Sequence, residues 1–139
     1  MVQETRLRVR YSETDAMGVV YHGNYLVWFE MGRTEWLRSH GQTYRELEEE
    51  GMMLPVVEAH CEYKAPARYD DELIVRTTWQ KTEDLYFDFR YEIIRLSDKK
   101  LLATGWTRHL CIGRDGRILR KMTMRLKNNL EKTTGPNNG

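Results

Sequence analysis

The stretch Tyr11–Glu30 reads YSETDAMGVVYHGNYLVWFE. A carboxylate, Asp15, stands ahead of Gly18; His22, Gly23 and Asn24 follow, and then an aromatic run. Upstream, Thr5 to Tyr11 alternates, with Leu7, Val9 and Tyr11 on one side and Arg6, Arg8 and Arg10 on the other. That period predicts a half-buried strand. Downstream, Asn24 fits the N-cap of a helix running to about His40, with Gly41 just past its C-terminus. Leu26, Trp28, Phe29, Trp36 and Leu37 give this helix more apolar surface than a solvated helix needs, so it is expected to be central and largely buried. Gly32 weakens it by roughly 1 kcal/mol against alanine, but a bare backbone lets the helix lie close against something flat.

Beyond the helix, Thr43–Glu46 fits a capping box opening a short acidic turn that ends at Gly51. Four strand patterns follow. Val57, Ala59, Cys61 and Tyr63 alternate with Glu58, His60, Glu62 and Lys64; Leu73, Val75 and Trp79 with Glu72, Arg76 and Gln80. Leu85, Phe87, Phe89, Tyr91 and Ile93 make the third, and Leu101 to Ile112 the last. The short polar breaks at 81–84 and 97–100 read as hairpins between antiparallel neighbours. Ile118, Met122, Leu126 and Leu130 recur every four residues, which predicts a C-terminal helix over about 118–132. Residues 1–3 and 133–139 are expected to fray. The reading is one α+β domain over 1–139, a helix on one antiparallel sheet. Its open sheet edges favour pairing with a second copy.

Composition narrows the function. The 22 Lys plus Arg nearly cancel the 21 Asp plus Glu, so no basic excess points to nucleic acid. No apolar run reaches the length of a membrane span or a signal segment, and the expectation is a cytoplasmic protein. Cys61 and Cys111 are expected to be reduced thiols. The four histidines suggest no metal site, and no G-x-G-x-x-G, Walker loop or G-x-S-x-G is present, so no cofactor is expected.

Near a helix N-terminus, unsatisfied N–H groups and the macrodipole favour developing negative charge. A carbonyl held there would be polarised as in an oxyanion hole, and Asp15 could activate water or attack directly. Asp15 could equally form an Asx-turn that only shapes the loop. His22 can donate to the carbonyl or complete the helix cap. Tyr11 can tune Asp15 or serve as an ordinary core tyrosine. The scattered basic residues, among them Lys64, Arg68, Arg120, Arg125 and Lys127, read as a solvated face or as a surface for phosphates.

The pattern D-x-x-G-x-x-x-x-x-N-Y from Asp15 through Gly18 to Asn24 and Tyr25, continuing into Trp28-Phe29-Glu30, resembles the signature of hotdog-fold acyl-CoA thioesterases. It is similar to the 4-hydroxybenzoyl-CoA thioesterase group, and most of all to its bacterial Tol-Pal-associated branch. The resemblance implies a long helix wrapped by an antiparallel sheet, and homodimers or homotetramers with active sites at subunit interfaces. It implies hydrolysis of an acyl-CoA substrate, with Asp15 as the catalytic carboxylate and the His22 backbone N–H polarising the thioester. The His22 side chain and Tyr11 match positions flanking the acid; Gly18 and Tyr25 match the substrate side, and Lys64 and Arg68 are candidates for coenzyme A. A hotdog hydratase or dehydratase, and a non-catalytic acyl-thioester-binding scaffold using the C-terminal stripe, are the alternative readings.

Overall fold

The computed structural model describes residues 2–134. The first strand, β1 (Val2–Arg8), pairs antiparallel with a later strand, and Val2 and Gln3 lie opposite Thr78 and Thr77 rather than fraying. The strand stops short of Tyr11. The Glu13 carboxylate takes the Arg10 N–H at 2.8 Å and turns the chain into a 3-10 helix, Tyr11–Glu13, so Tyr11 leaves the sheet.

Helix α1 (Asn24–Ser39) follows the loop. Gly23, not Asn24, is its cap residue; Asn24 is the first helical residue, and its amide reaches back to donate to the Glu13 carbonyl at 2.9 Å. The other end closes as the sequence predicts. Gly41 sits at φ 78°, its N–H bonding Arg38 O at 3.1 Å, and the Gln42 N–H bonds Leu37 O at 2.9 Å. That is a Schellman motif, in which the left-handed residue satisfies carbonyls the helix leaves open.

α1 buries Tyr25, Trp28, Phe29, Gly32, Arg33, Trp36 and Leu37 on one face. Each large apolar side chain removed from water contributes about 1.5–3 kcal/mol. The opposite face is not covered: Leu26, Val27 and Met31 are all at least 40% exposed. The helix is therefore half buried rather than central on all sides. Gly32 does admit the close approach, because a Cβ there would clash with the Thr77 hydroxyl and stand 2.9 Å from Val75 Cγ1.

Helix α2 (Tyr44–Glu49) is capped by Thr43, whose Oγ1 accepts the Glu46 N–H at 3.1 Å. The strands β2 (Val56–Tyr63), β3 (Glu72–Gln80), β4 (Tyr86–Arg95) and β5 (Leu101–Leu110) then complete one antiparallel sheet in the order β1-β3-β4-β5-β2. The β3–β4 and β4–β5 hairpins form as the polar breaks predict. Leu73, Val75, Phe87, Phe89, Tyr91, Ile93 and Leu102 are buried with α1, which lies mainly over β1 and β3. Strand β2 is an edge, and seven of its eight residues are exposed, Val56, Val57 and Tyr63 included.

Helix α3 (Arg120–Thr134) starts after Ile118, which stays exposed, and runs through Thr133 and Thr134, expected to fray. Residues 135–139 lie outside the described residues. Its buried face is Thr123, Leu126, Lys127 and Leu130. Lys127 is thus not part of a solvated basic face. Its Nζ donates to Thr82 O at 3.0 Å and to Asp84 O, clamping the helix onto the β3–β4 turn.

Candidate active site

The loop between the 3-10 helix and α1 is a tight hairpin. Thr14 and Val20 form an isolated antiparallel bridge, and Asp15 N–H donates to Val19 O at 2.8 Å. Gly18, at φ 79°, makes the reversal that side chains resist, its N–H bonding Asp15 O at 3.0 Å. Asp15 Oδ1 accepts the Met17 N–H at 2.8 Å, so the loop-shaping Asx-turn is present. It engages one oxygen only. Among the described residues Oδ2 makes no hydrogen bond, so shaping the loop and offering a carboxylate are compatible tasks.

Asp15 lines a cleft of about 370 Å³ with His22, Tyr25, Tyr63, Lys64 and the apolar Val20 and Pro66. His22 stands just before the α1 cap. Among the described residues, the backbone N–H groups of His22 and Gly23 find no backbone acceptor. Unfilled donors at a helix start are suited to a carbonyl oxygen that gains negative charge. The His22 carbonyl is held from the other side, accepting the Tyr63 hydroxyl at 2.9 Å. Desolvation pushes Tyr63 up to about 12, which keeps that hydroxyl a donor.

Tyr25 is buried, and its oxygen accepts the Ala67 N–H at 3.2 Å; burial pushes its hydroxyl pKa up. Its ring meets Tyr63 edge-on at 5.0 Å and forms a wall of the cleft. Lys64 reaches the same cleft, with Nζ 3.4 Å from Glu62 Oε1. Arg68 does not line it; that segment is fixed by the Arg68 N–H on Asp71 Oδ2 at 2.9 Å. Tyr11 is 76% exposed, with its ring edge-on to Tyr69 at 5.6 Å, whereas Asp15 bonds Met17 instead. Asp15, His22, Tyr25 and Lys64 are thus brought together, with Gly18 in the hairpin, while Tyr11 and Arg68 stand outside.

Two contributors escape sequence reading. Tyr63 bonds a residue 41 positions away, which strand periodicity cannot reveal. Glu13 is 7% exposed, takes Trp28 Nε1 on Oε2 at 3.0 Å, and its carbonyl accepts Tyr21 N–H at 2.9 Å. It thereby fastens the start of the Asp15 hairpin to the buried face of α1. A lone glutamate in a polar loop carries no signal of this; the facing Trp28, with an N–H needing a partner, is the nearest hint.

The sequence pattern described as the thioesterase-like superfamily matches residues 9–133. The chain is 34% identical over 114 residues to the putative acyl-CoA thioesterase YneP of Bacillus subtilis, covering 82% of each chain. It is 30% identical over 115 residues to a 1,4-dihydroxy-2-naphthoyl-CoA hydrolase of Synechococcus, covering 78% of this chain and 76% of that one. Among solved structures, a DHNA-CoA thioesterase from Staphylococcus aureus superimposes with a TM-score of 0.87 at 32% identity, over 99% of this chain and 93% of the other.

Proposed function

The chain belongs to the thioesterase-like superfamily, and from that premise we propose that it hydrolyses acyl-CoA thioesters to a free carboxylic acid and coenzyme A. The observation that carries the reading is a single cleft lined by the Asp15 carboxylate and by His22 at the start of α1. The thioester oxygen is received by the N–H groups of His22 and Gly23, where the helix dipole adds to their field. Asp15 acts as general base through Oδ2: it takes a proton from water as the water oxygen bonds to the thioester carbon. The C–S bond then breaks, and the coenzyme A thiolate leaves as it takes the proton back from Asp15, which restores the carboxylate. The open cleft, which admits water to Asp15, supports the base role over direct attack. Gly18 keeps the hairpin tight beside the substrate, Tyr25 walls the cleft, and Lys64 supplies a cation for a coenzyme A phosphate.

The motif from Asp15 to Tyr25 supports the finer placement in the 4-hydroxybenzoyl-CoA thioesterase group and its Tol-Pal-associated branch. A cytoplasmic location fits the substrate class; among the described residues no helix is long and apolar enough to cross a membrane. The exposed edge β2, together with Leu26, Val27 and Met31 on the uncovered face of α1, supports a homodimer or homotetramer. The scaffold reading loses its main support, because Leu126 and Leu130 of α3 are spent on the chain's own core.

The test is Asp15→Asn, assayed by trapping the released thiol across short, long and aromatic acyl-CoAs. General-base removal is expected to lower turnover by about 10²–10⁴-fold. The melting temperature should stay within a degree or two. Hydrolysis at the wild-type rate would remove Asp15 from the mechanism.

A further inference from the structure

The near-neutral total hides a segregated charge. Residues 114–132 hold seven of the 22 Lys and Arg but two of the 21 Asp and Glu, which leaves this segment at +5 and the rest of the chain at −4. Most of the segment is α3, whose Leu126, Lys127 and Leu130 face the core. At about 100° per residue, Lys121, Arg125, Asn128 and Lys132 fall in one row on the opposite side. All four are exposed, and Arg120 stands beside the row. The acids nearby are engaged elsewhere, Glu131 with Lys81 at 2.7 Å and Asp115 with Arg117 at 3.7 Å. Among the described residues, no carboxylate forms an ion pair with Arg120, Lys121, Arg125 or Lys132. Folding does not account for the row. Arg120 and Lys121 oppose the macrodipole at the start of α3, where no acid stands, and Lys121 repels Arg125 one turn on.

The shape and chemistry of this face narrow the partner. The row runs straight for about 16 Å along a convex helix surface, with no aromatic side chain in the helix. Protein interfaces concentrate their energy in aromatic anchors seated in pockets, and this face offers none. Met124, 44% exposed, projects beside the cations. An apolar tip among cations is what helices lying on a bilayer present, and the long stems of Lys and Arg carry their charged heads to the phosphates. The face is also held firmly. Lys127 and the Lys81–Glu131 pair fix α3 to the β3–β4 turn. The Asp15 cleft borders Pro66, which Arg95 holds at the other end of that hairpin, so the two regions share no lining residue.

We infer that the outward row of α3 docks the protein onto an anionic lipid surface, with Lys121, Arg125 and Lys132 among the lipid phosphates and Met124 at headgroup depth. The attachment is electrostatic and reversible. Each cation close to such a surface strengthens binding about fivefold, and the gain fades beyond the Debye length. The inference does not rest on the hydrolysis reading.

The probe is a vesicle of equimolar phosphatidylcholine and phosphatidylglycerol, sedimented with the full chain at low salt. Vesicles of phosphatidylcholine alone are the match without net charge. The anionic vesicles should bind the protein roughly tenfold or more tightly, and salt of about 1 M, where the Debye length is about 3 Å, should release it. Lys121→Gln combined with Arg125→Gln should weaken binding roughly 25-fold. That variant should melt no lower than the wild type, since it loses a like-charge repulsion. Lys99→Gln combined with Lys100→Gln removes the same charge from the exposed β4–β5 turn and should bind as the wild type does. Equal binding to the two lipids, binding that survives high salt, or the same loss in both double variants overturns the proposal. So does capture on poly-glutamate without binding to the anionic vesicles, which would assign the face to an acidic protein.

Discussion

Gly32→Ala pits two effects of opposite sign against each other. In a free helix the change would stabilise by roughly 0.8–1.0 kcal/mol, since alanine surrenders less backbone entropy. Here the new methyl would clash with the Thr77 hydroxyl and stand 2.9 Å from Val75 Cγ1. Forcing a methyl into a packed layer costs roughly 1–3 kcal/mol, so the clash should win by about 1 kcal/mol. That corresponds to a fall of about 3 °C in melting temperature for a chain of this size. The strain has a named source, which a double-mutant cycle can isolate. Thr77 Oγ1 is buried and unpartnered, so Thr77→Ala removes it at little cost, while the Thr77 Cβ stands 3.7 Å from the added methyl, an ordinary contact. Urea denaturation should show Gly32→Ala to be at least about 1 kcal/mol less damaging in the Thr77→Ala background. The same cycle in kcat should run parallel, because lifting α1 off β3 also displaces the donors at its start. A Gly32→Ala protein more stable than wild type, or an identical cost in both backgrounds, would refute the close seating of the helix.

Tyr63→Phe deletes the hydrogen bond that fixes the His22 carbonyl. Its net worth of about 0.5–1.5 kcal/mol should appear as a fall of up to about tenfold in kcat, with KM little changed; a pure KM effect would argue against a role at the helix start. His109 is a base whose folded pKa, about 4, lies below its ordinary value of 6.5. The unfolded chain therefore binds the extra proton first, and the contribution is complete above 6.5 and lost as pH falls towards 4. On the order of 3 kcal/mol of unfolding free energy should disappear over that window, and His109→Gln should flatten that part of the urea-derived pH profile. Lys127→Met strips the donor from Thr82 O and Asp84 O while keeping the stem. Losing these hydrogen bonds from a charged donor should cost roughly 1.5–3 kcal/mol, read as a lower midpoint in urea.

The hairpins, the α1 terminus and the Met122, Leu126 and Leu130 part of the C-terminal stripe are legible because each is written in neighbouring residues; Ile118 lies outside the helix and stays exposed. Gly41 closes α1 through contacts within five positions. The polar gaps at 81–84 and 97–100 pair strands that adjoin in sequence. Strand order is not legible: β2 lies beside β5 rather than β3, and nothing in its alternation names that neighbour. The same limit applies to the site. The Asp15–Gly18 spacing shows in the sequence because the turn is local. Tyr11 misleads because a period-two pattern cannot tell where the Glu13 carboxylate bends the chain away. Lys127 misleads because a buried amine and a solvated one look alike until the carbonyls around it are known.

The pairing of Glu13 with Trp28 also bears on how such a chain can change over generations. A phenylalanine at 28 would leave a buried carboxylate without its donor, and a glutamine at 13 would leave the Arg10 end of the turn without its charge. Either step alone is destabilising, by about 1.5–3 kcal/mol for a lost hydrogen bond to a charged group. The loop carrying Asp15 and the helix that follows it are therefore not free to drift separately. Descendants should keep both residues or exchange both within a short interval, so that positions 13 and 28 behave as one heritable character.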